Sequence, residues 1–191
     1  TELVRGVQHR ALAQAYMALG DIEGADLHAQ QAVTMIEAAT GPEHALAASA
    51  RWDAAICGVQ LRGIGEVDAL VAALRAIGQA TGTWEVKDLR RMASVVAMLS
   101  MAGRRDEAGP WLETLTAERL RLGDTEDTEL AGDYYQARAQ YATIADERIA
   151  LWRRAAEILE ARLGVNAPDA MDARRLLAFN LSYSDRYDEA I

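Results

Sequence analysis

The sequence predicts an all-α solenoid of antiparallel helix pairs. Three observations point there: a helix-favouring composition, a glycine that recurs every 41 residues, and a second series of turn residues midway between those glycines. About half of the 191 residues are apolar (51%), enough to build a core rather than a disordered chain. Prolines number three and phenylalanines one, while Ala, Leu, Arg and Glu dominate. Those four residue types lose little on entering a helix, and no alternating run of β-branched residues suggests a strand.

Gly41, Gly82, Gly123 and Gly164 form the main series, each following a helical pattern and preceding a short polar stretch such as Gly41-Pro42-Glu43. Glycine just past a helix end takes the left-handed conformation without a Cβ clash. Gly20-Asp21, Gly63 with Gly65, and Gly103-Arg104 mark the turns between, and Thr143 and Asp185 fall where the fourth and fifth would be. The repeats are therefore placed at 1–41, 42–82, 83–123, 124–164 and an incomplete 165–191, within one array. First helices are expected near 3–19, 43–61, 84–102, 127–142 and 169–184. Second helices are expected near 22–39, 66–80, 106–121 and 145–163.

Within each second helix, residues four and three apart share a face. Ala25, Ala29 and Ala32 hold those slots in the first repeat and Ala69, Ala73 and Ala76 in the second. Ala108, Leu112 and Leu115 follow in the third, and Arg148, Trp152 and Ala155 in the fourth. Small residues at a crossing let two helix backbones approach. Arg148 and Thr143 depart from the pattern, the Gly63-Ile64-Gly65 turn allows a one-residue shift in the second repeat, and Pro110 is expected in the first turn of its helix.

The run from Leu12 to Ala25, continuing to Ala32, resembles a tetratricopeptide repeat in its large–small–aromatic–Gly–Ala–Ala order. Gly103-Arg104-Arg105-Asp106-Glu107-Ala108 and the run from Asp185 to Ile191 resemble that family's turn and second-helix start. The Leu163-Gly164 to Pro168-Asp169-Ala170 stretch looks like the loop of the longer, roughly 42-residue variety found in kinesin light chains and many bacterial regulators. The resemblance implies a right-handed superhelix whose first helices line a concave face. Projected onto this chain, that face holds Arg10, Gln14 and Met17; Arg51, Leu61 and Arg62; Arg90 and Met101; Asp133 and Tyr141; Arg175 and Phe179. Five arginines there would form a local reversal of sign in a chain of net charge −9, suited to an acidic or carboxylate-bearing peptide. Arg10, Gln14 and Arg90 partly match the carboxylate clamp of chaperone-binding members, while Ala55 and Ser94 depart from it. The alternative is that these arginines are solvated or paired with nearby carboxylates.

Signals for chemistry are sparse. His9, His28 and His44 have no sequence-local partners, so no metal site is expected. No phosphate-binding Gly-x-x-x-x-Gly-Lys occurs, and Gly63-Ile64-Gly65 reads as a helix–helix turn. Asp124, Glu126, Asp127 and Glu129 cluster before a helix, where Asp124 or Thr125 could cap it and the charges offset its dipole. Trp52, Trp84, Trp111 and Trp152, with Tyr16 and Tyr134, read as core. An enzyme is not expected, nor any cofactor. The acidic balance argues against direct nucleic-acid binding. The longest apolar uncharged stretch, Met92 to Gly103, is twelve residues and falls short of the roughly 20 a membrane helix needs. Cys57 is alone, and a cytoplasmic setting is expected.

Three functions stay open at this stage: a peptide-binding module, a structural scaffold with no groove ligand, and the sensor segment of a larger bacterial regulator. A chain running from Thr1 to Ile191 in mid-pattern is expected to be part of a longer protein. Leu176, Leu177 and Leu181 would then form an uncovered strip at its C-terminal end, to be buried by self-association or by further chain.

Overall fold

A computed structural model describes residues 1–189. Among them are nine α-helices, two short 3₁₀ turns and no strand. They are α1 (Glu2–Ala18), α2 (Ile22–Thr40), α3 (Ala45–Arg62), α4 (Val67–Thr81), α5 (Val86–Met101), α6 (Arg105–Arg121), α7 (Glu129–Tyr141), α8 (Ala145–Leu163) and α9 (Pro168–Tyr183). Every predicted helix is present, with ends displaced by two residues at most. The helices gather into two compact units, Thr1–Trp84 and Glu85 onward. The expected tenth helix begins only as a 3₁₀ turn, Tyr187–Glu189, and its remaining residues Ala190 and Ile191 lie outside the described residues.

The repeating glycines do what their spacing predicts. Gly41, Gly82, Gly123 and Gly164 all have φ between 67° and 90°, and Asp185, standing in for a turn glycine, has φ 58°.

In the first unit, α2 is seated between α1 and α3 by small residues. Ala13, Ala25, Ala29, Ala54 and Cys57 form one buried cluster, with Tyr16, Met17 and Val33 packed around it. Ala32, Ile36, Ala47 and Ala50 form the next. The second pair corrects one expectation: Ala69 is exposed, and α4 instead buries Val67, Leu70, Leu74 and Ile77. The 3₁₀ turn Ile64–Glu66 adds one residue ahead of α4, so Leu70, Leu74 and Ile77 take the slots of Ala25, Ala29 and Ala32. Trp84 folds back over Gly78, where an added Cβ would lie 2.5 Å from the indole.

In the second unit, Ala139, Ala142, Trp152, Ala155, Leu159, Ala170 and Ala173 bind α7, α8 and α9 into one core. Gly132 lets Leu159 close on α7, since a Cβ there would meet the leucine at 2.6 Å. The irregular fourth repeat is explained at the end of α7. No glycine turns the chain after Tyr141; instead Arg148 donates two hydrogen bonds to the Ala142 carbonyl (3.2 and 2.8 Å) and Arg105 donates one to the Tyr141 carbonyl (3.2 Å). Side chains thus satisfy the terminal carbonyls that a glycine cap would otherwise serve. Arg148 is a capping residue, neither a packing slot nor a solvated chain. Pro110 lies in the second turn of α6 rather than the first, with no amide to offer the Asp106 carbonyl.

Candidate interaction site

The predicted arginines do not present free guanidinium groups. In the first unit, Arg10 Nε donates to Asp53 Oδ2 at 2.6 Å, and Gln14 reaches the same oxygen at 3.2 Å. Arg51 binds Glu37 (2.5 Å) and the Pro42 carbonyl (2.8 Å), while Arg62 lies 3.8 Å from Asp26 and 3.5 Å from Glu66. In the second unit, Arg90 binds Asp133 at 2.5 Å, with Glu129 at 3.3 Å and Asp169 at 4.0 Å. Arg175 pairs with Asp172 at 3.2 Å. The expected reversal of sign is therefore cancelled within the chain, and around Arg90 carboxylates outnumber the cation. Burial, helped by Asp169 and Glu129, pushes the Asp133 carboxyl above its usual range against the pull of Arg90. Met17 packs on the first-unit core. Phe179 is exposed and stacks on Tyr183, their ring centroids 6.1 Å apart. Leu181 is buried and Leu176 and Leu177 pack on the second-unit core, so the strip expected to be uncovered is largely covered.

The carboxylates of the acidic loop are all engaged within the chain. Thr128, not Asp124 or Thr125, caps α7, accepting from the Ala131 amide at 3.0 Å. Asp124 instead pairs with Arg119 at 2.6 Å, both side chains under a tenth exposed. The Thr128 hydroxyl donates to Asp124, and the Arg119 guanidinium lies 4.1 Å above the Tyr134 ring. Glu126 accepts from Tyr135, Asp127 from Arg162, and Glu129 from Arg90. Each of these carboxylates thus has a donor within the chain.

Of the predicted residues, Arg175 lines a cavity of about 450 Å³ on α9 with Leu177 and Leu181. Tyr141 lines another, beside α6. Here α6 departs from the packing of α2 and α8, which lie closely against the first helix that follows each. It buries only Ala108, Leu115 and Arg119, and α7 lies mainly against α5, so α6 touches α7 sparsely. Where they meet, tyrosines hold the two helices apart: Tyr134 accepts from Thr116 at 3.3 Å, and Tyr141 reaches Gly109, where a Cβ would sit 3.3 Å from its hydroxyl. The opening is a groove of about 460 Å³ lined by Gly109, Leu112, Glu113, Thr116, Ala117, Leu120 and Tyr141. Its α6 residues recur at three- and four-residue steps and so form one stripe, about 17 Å long at the helical rise.

A second cavity of about 380 Å³ shares Leu112 and Tyr141 with the first and adds Arg105, Arg138, Thr143 and Glu147. Arg138 has Glu147 at 3.7 Å. Arg105 keeps its bond to the Tyr141 carbonyl, and among the described residues no carboxylate stands within ion-pair distance of it. An apolar trough thus runs into a cationic end. Sequence reasoning missed it because α6 reads as an ordinary second helix; only the displacement of α7 uncovers the stripe.

No protein-family model and no curated protein matches the chain. Solved structures do. A crystal structure of a protein described as a kinesin light chain of Podosopora anserina, with nearly identical TPR-like repeats, superposes at a TM-score of 0.61 over 96% of this chain and 88% of its own, with 18% identity. A point variant of that protein superposes at 0.65 over 100% and 91%, again with 18% identity. The fold is TPR-like. The tetratricopeptide resemblance read from the turn and small-residue pattern is thereby met in three dimensions across the chain. No described helix of this TPR-like chain is long and apolar enough to cross a membrane. Among its described residues, no group of three or more His, Cys, Asp or Glu side chains has an arrangement that could hold a metal ion.

Proposed function

We propose that the chain is a non-catalytic interaction module that holds an apolar segment of another protein carrying a carboxylate, and that the segment docks in the α6–α7 groove. The observation that carries this reading is the continuity of the apolar stripe with Arg105. Apolar walls with a few placed polar groups are the usual make-up of a binding cleft, the former supplying area and the latter orientation. A guanidinium committed to one carbonyl retains donors for a carboxylate. The same carboxylate would have to displace Asp53 or Asp133 to bind at Arg10 or Arg90, which makes those arginines the poorer candidates. Kinesin-light-chain-like repeats in the similar structures are consistent with a role in holding partners, by analogy of fold.

The test is selection from a random peptide library displayed with free C-termini, repeated on Leu120→Glu and Arg105→Gln variants. Leu120 is three-quarters exposed, so its replacement leaves the core intact. Retained peptides should be rich in apolar residues and carry a carboxylate. They should bind Leu120→Glu at least tenfold more weakly, and Arg105→Gln should lose the preference for the carboxylate. Equal binding to all three proteins would reject the site.

A second reading, self-association, has one observation in its favour: Phe179 and Tyr183 form an exposed stacked pair on α9. Sedimentation of the wild type and of Phe179→Ser with Tyr183→Ser would show a concentration-dependent dimer lost in the double variant, or a monomer in both.

A further inference from the structure

The structure assigns a site for a divalent transition-metal ion between α1 and α2, formed by His9, His28 and Gln31. Two histidines 19 residues apart in sequence are brought together by the helix pair, with His9 Nδ1 only 3.0 Å from His28 Nδ1. The Gln31 amide oxygen stands 3.3 Å from the same His28 nitrogen. Tyr16 stacks on His28, ring centroids 5.2 Å apart, and fixes the plane of that imidazole. All three donors are partly buried, and His28 meets both of the others.

Hydrogen bonds hold this cluster when His28 Nδ1–H is shared between the bare His9 nitrogen and the Gln31 oxygen, or when the Gln31 amide is turned over to donate. The same three atoms present lone pairs to a cation once no proton lies between them. An ion accepts from all three at once. Metal–nitrogen and metal–oxygen bonds of about 2.0–2.1 Å, at angles between octahedral and tetrahedral, give donor–donor edges of about 2.8–3.4 Å. The separations of 3.0 and 3.3 Å fall inside that range. Imidazole donors suit zinc, copper and nickel rather than magnesium or calcium.

The site has three protein donors, so water completes the shell, and the ion cross-links the two helices that open the first unit. This assignment is independent of the α6–α7 groove, which belongs to the other unit.

Zinc(II) is titrated into the intact chain while the histidine ring resonances are followed by NMR. The rings of His9 and His28 should shift and saturate at one equivalent, with His44 unmoved. His44 serves instead as the N-cap of α3, accepting from the Leu46 amide at 3.1 Å. Calorimetry should show affinity at least tenfold lower in His28→Asn and in His9→Asn, and saturating zinc should raise the Tm of the wild type only. Comparable shifts at all three histidines, absence of saturation, or undiminished affinity in either variant would overturn the assignment; the wild-type NMR result stands even where a variant fails to fold.

Discussion

Arginine is the most informative residue type in this chain, because its partners decide what each copy does. Arg10 with Asp53 and Arg90 with Asp133 are both separated by 43 residues, one repeat plus two, and each joins a first helix to the next. That common spacing was present in the sequence, but a guanidinium pattern read alone does not reveal which carboxylate folds onto it. Arg119 is the extreme case, a charge placed where the first repeat has Ile36 and kept there by Asp124, Thr128 and Tyr134. Removing one partner of a buried pair leaves an uncompensated charge, whereas an exposed pair contributes little. Asp124→Ala should therefore lose on the order of 3–5 kcal/mol in a urea titration, and Arg175→Gln, from a well-exposed pair, about 0–1 kcal/mol. Cys57 supplies a pH signature. Burial first, then the charges of Asp26 and Asp53, push its thiol from 9.0 up to about 11. The unfolded chain then releases its proton at lower pH than the folded one, so the thiol's contribution is complete below pH 9 and is lost as pH rises from 9 through 11. Cys57→Ala should flatten that alkaline limb in denaturant midpoints measured from pH 8 to 11.

Elements were the most legible level. Positive-φ glycines and Asp185 punctuate the chain where their spacing placed them, and the helix ends follow within two residues. What the pattern did not show were substitutions of mechanism. A 3₁₀ turn moved the α4 stripe by one residue, and two arginines replaced a glycine cap after α7. Both changes depend on contacts distant in sequence, which local propensity does not record. The small-residue crossings themselves are stringent. Ala25 is fully buried, and Gly132 abuts the fully buried Leu159. Ala25→Leu and Gly132→Ala should each cost roughly 1–3 kcal/mol through overpacking. Ala39→Leu, at an exposed position of the same helix as Ala25, should lie within about 0.5 kcal/mol of wild type. Comparable losses at Ala25 and Ala39 would show that the crossing is misplaced.

At the scale of the whole molecule, a repeat fold makes surface by stacking, and a groove opens where the stacking is left incomplete. Arg10, Arg51 and Arg90 of the first helices are already closed into ion pairs. The α6–α7 groove arises from the opposite cause, a second helix held off its neighbour by Tyr134 and Tyr141. Tyr141, which lines the groove, is among the residues that the family resemblance singles out, whereas Arg105 and Leu120 lie off that face. The account rests on a carboxylate meeting Arg105 beside an apolar stripe, and a double-mutant cycle tests this directly. The best-retained library peptide is compared as free acid and as C-terminal amide, or with its acidic side chain as Asp and as Asn, against wild type and Arg105→Gln. The account predicts that either change alone weakens binding at least tenfold and that both together weaken it little further. Losses that simply multiply, or no loss on changing Arg105, would contradict it.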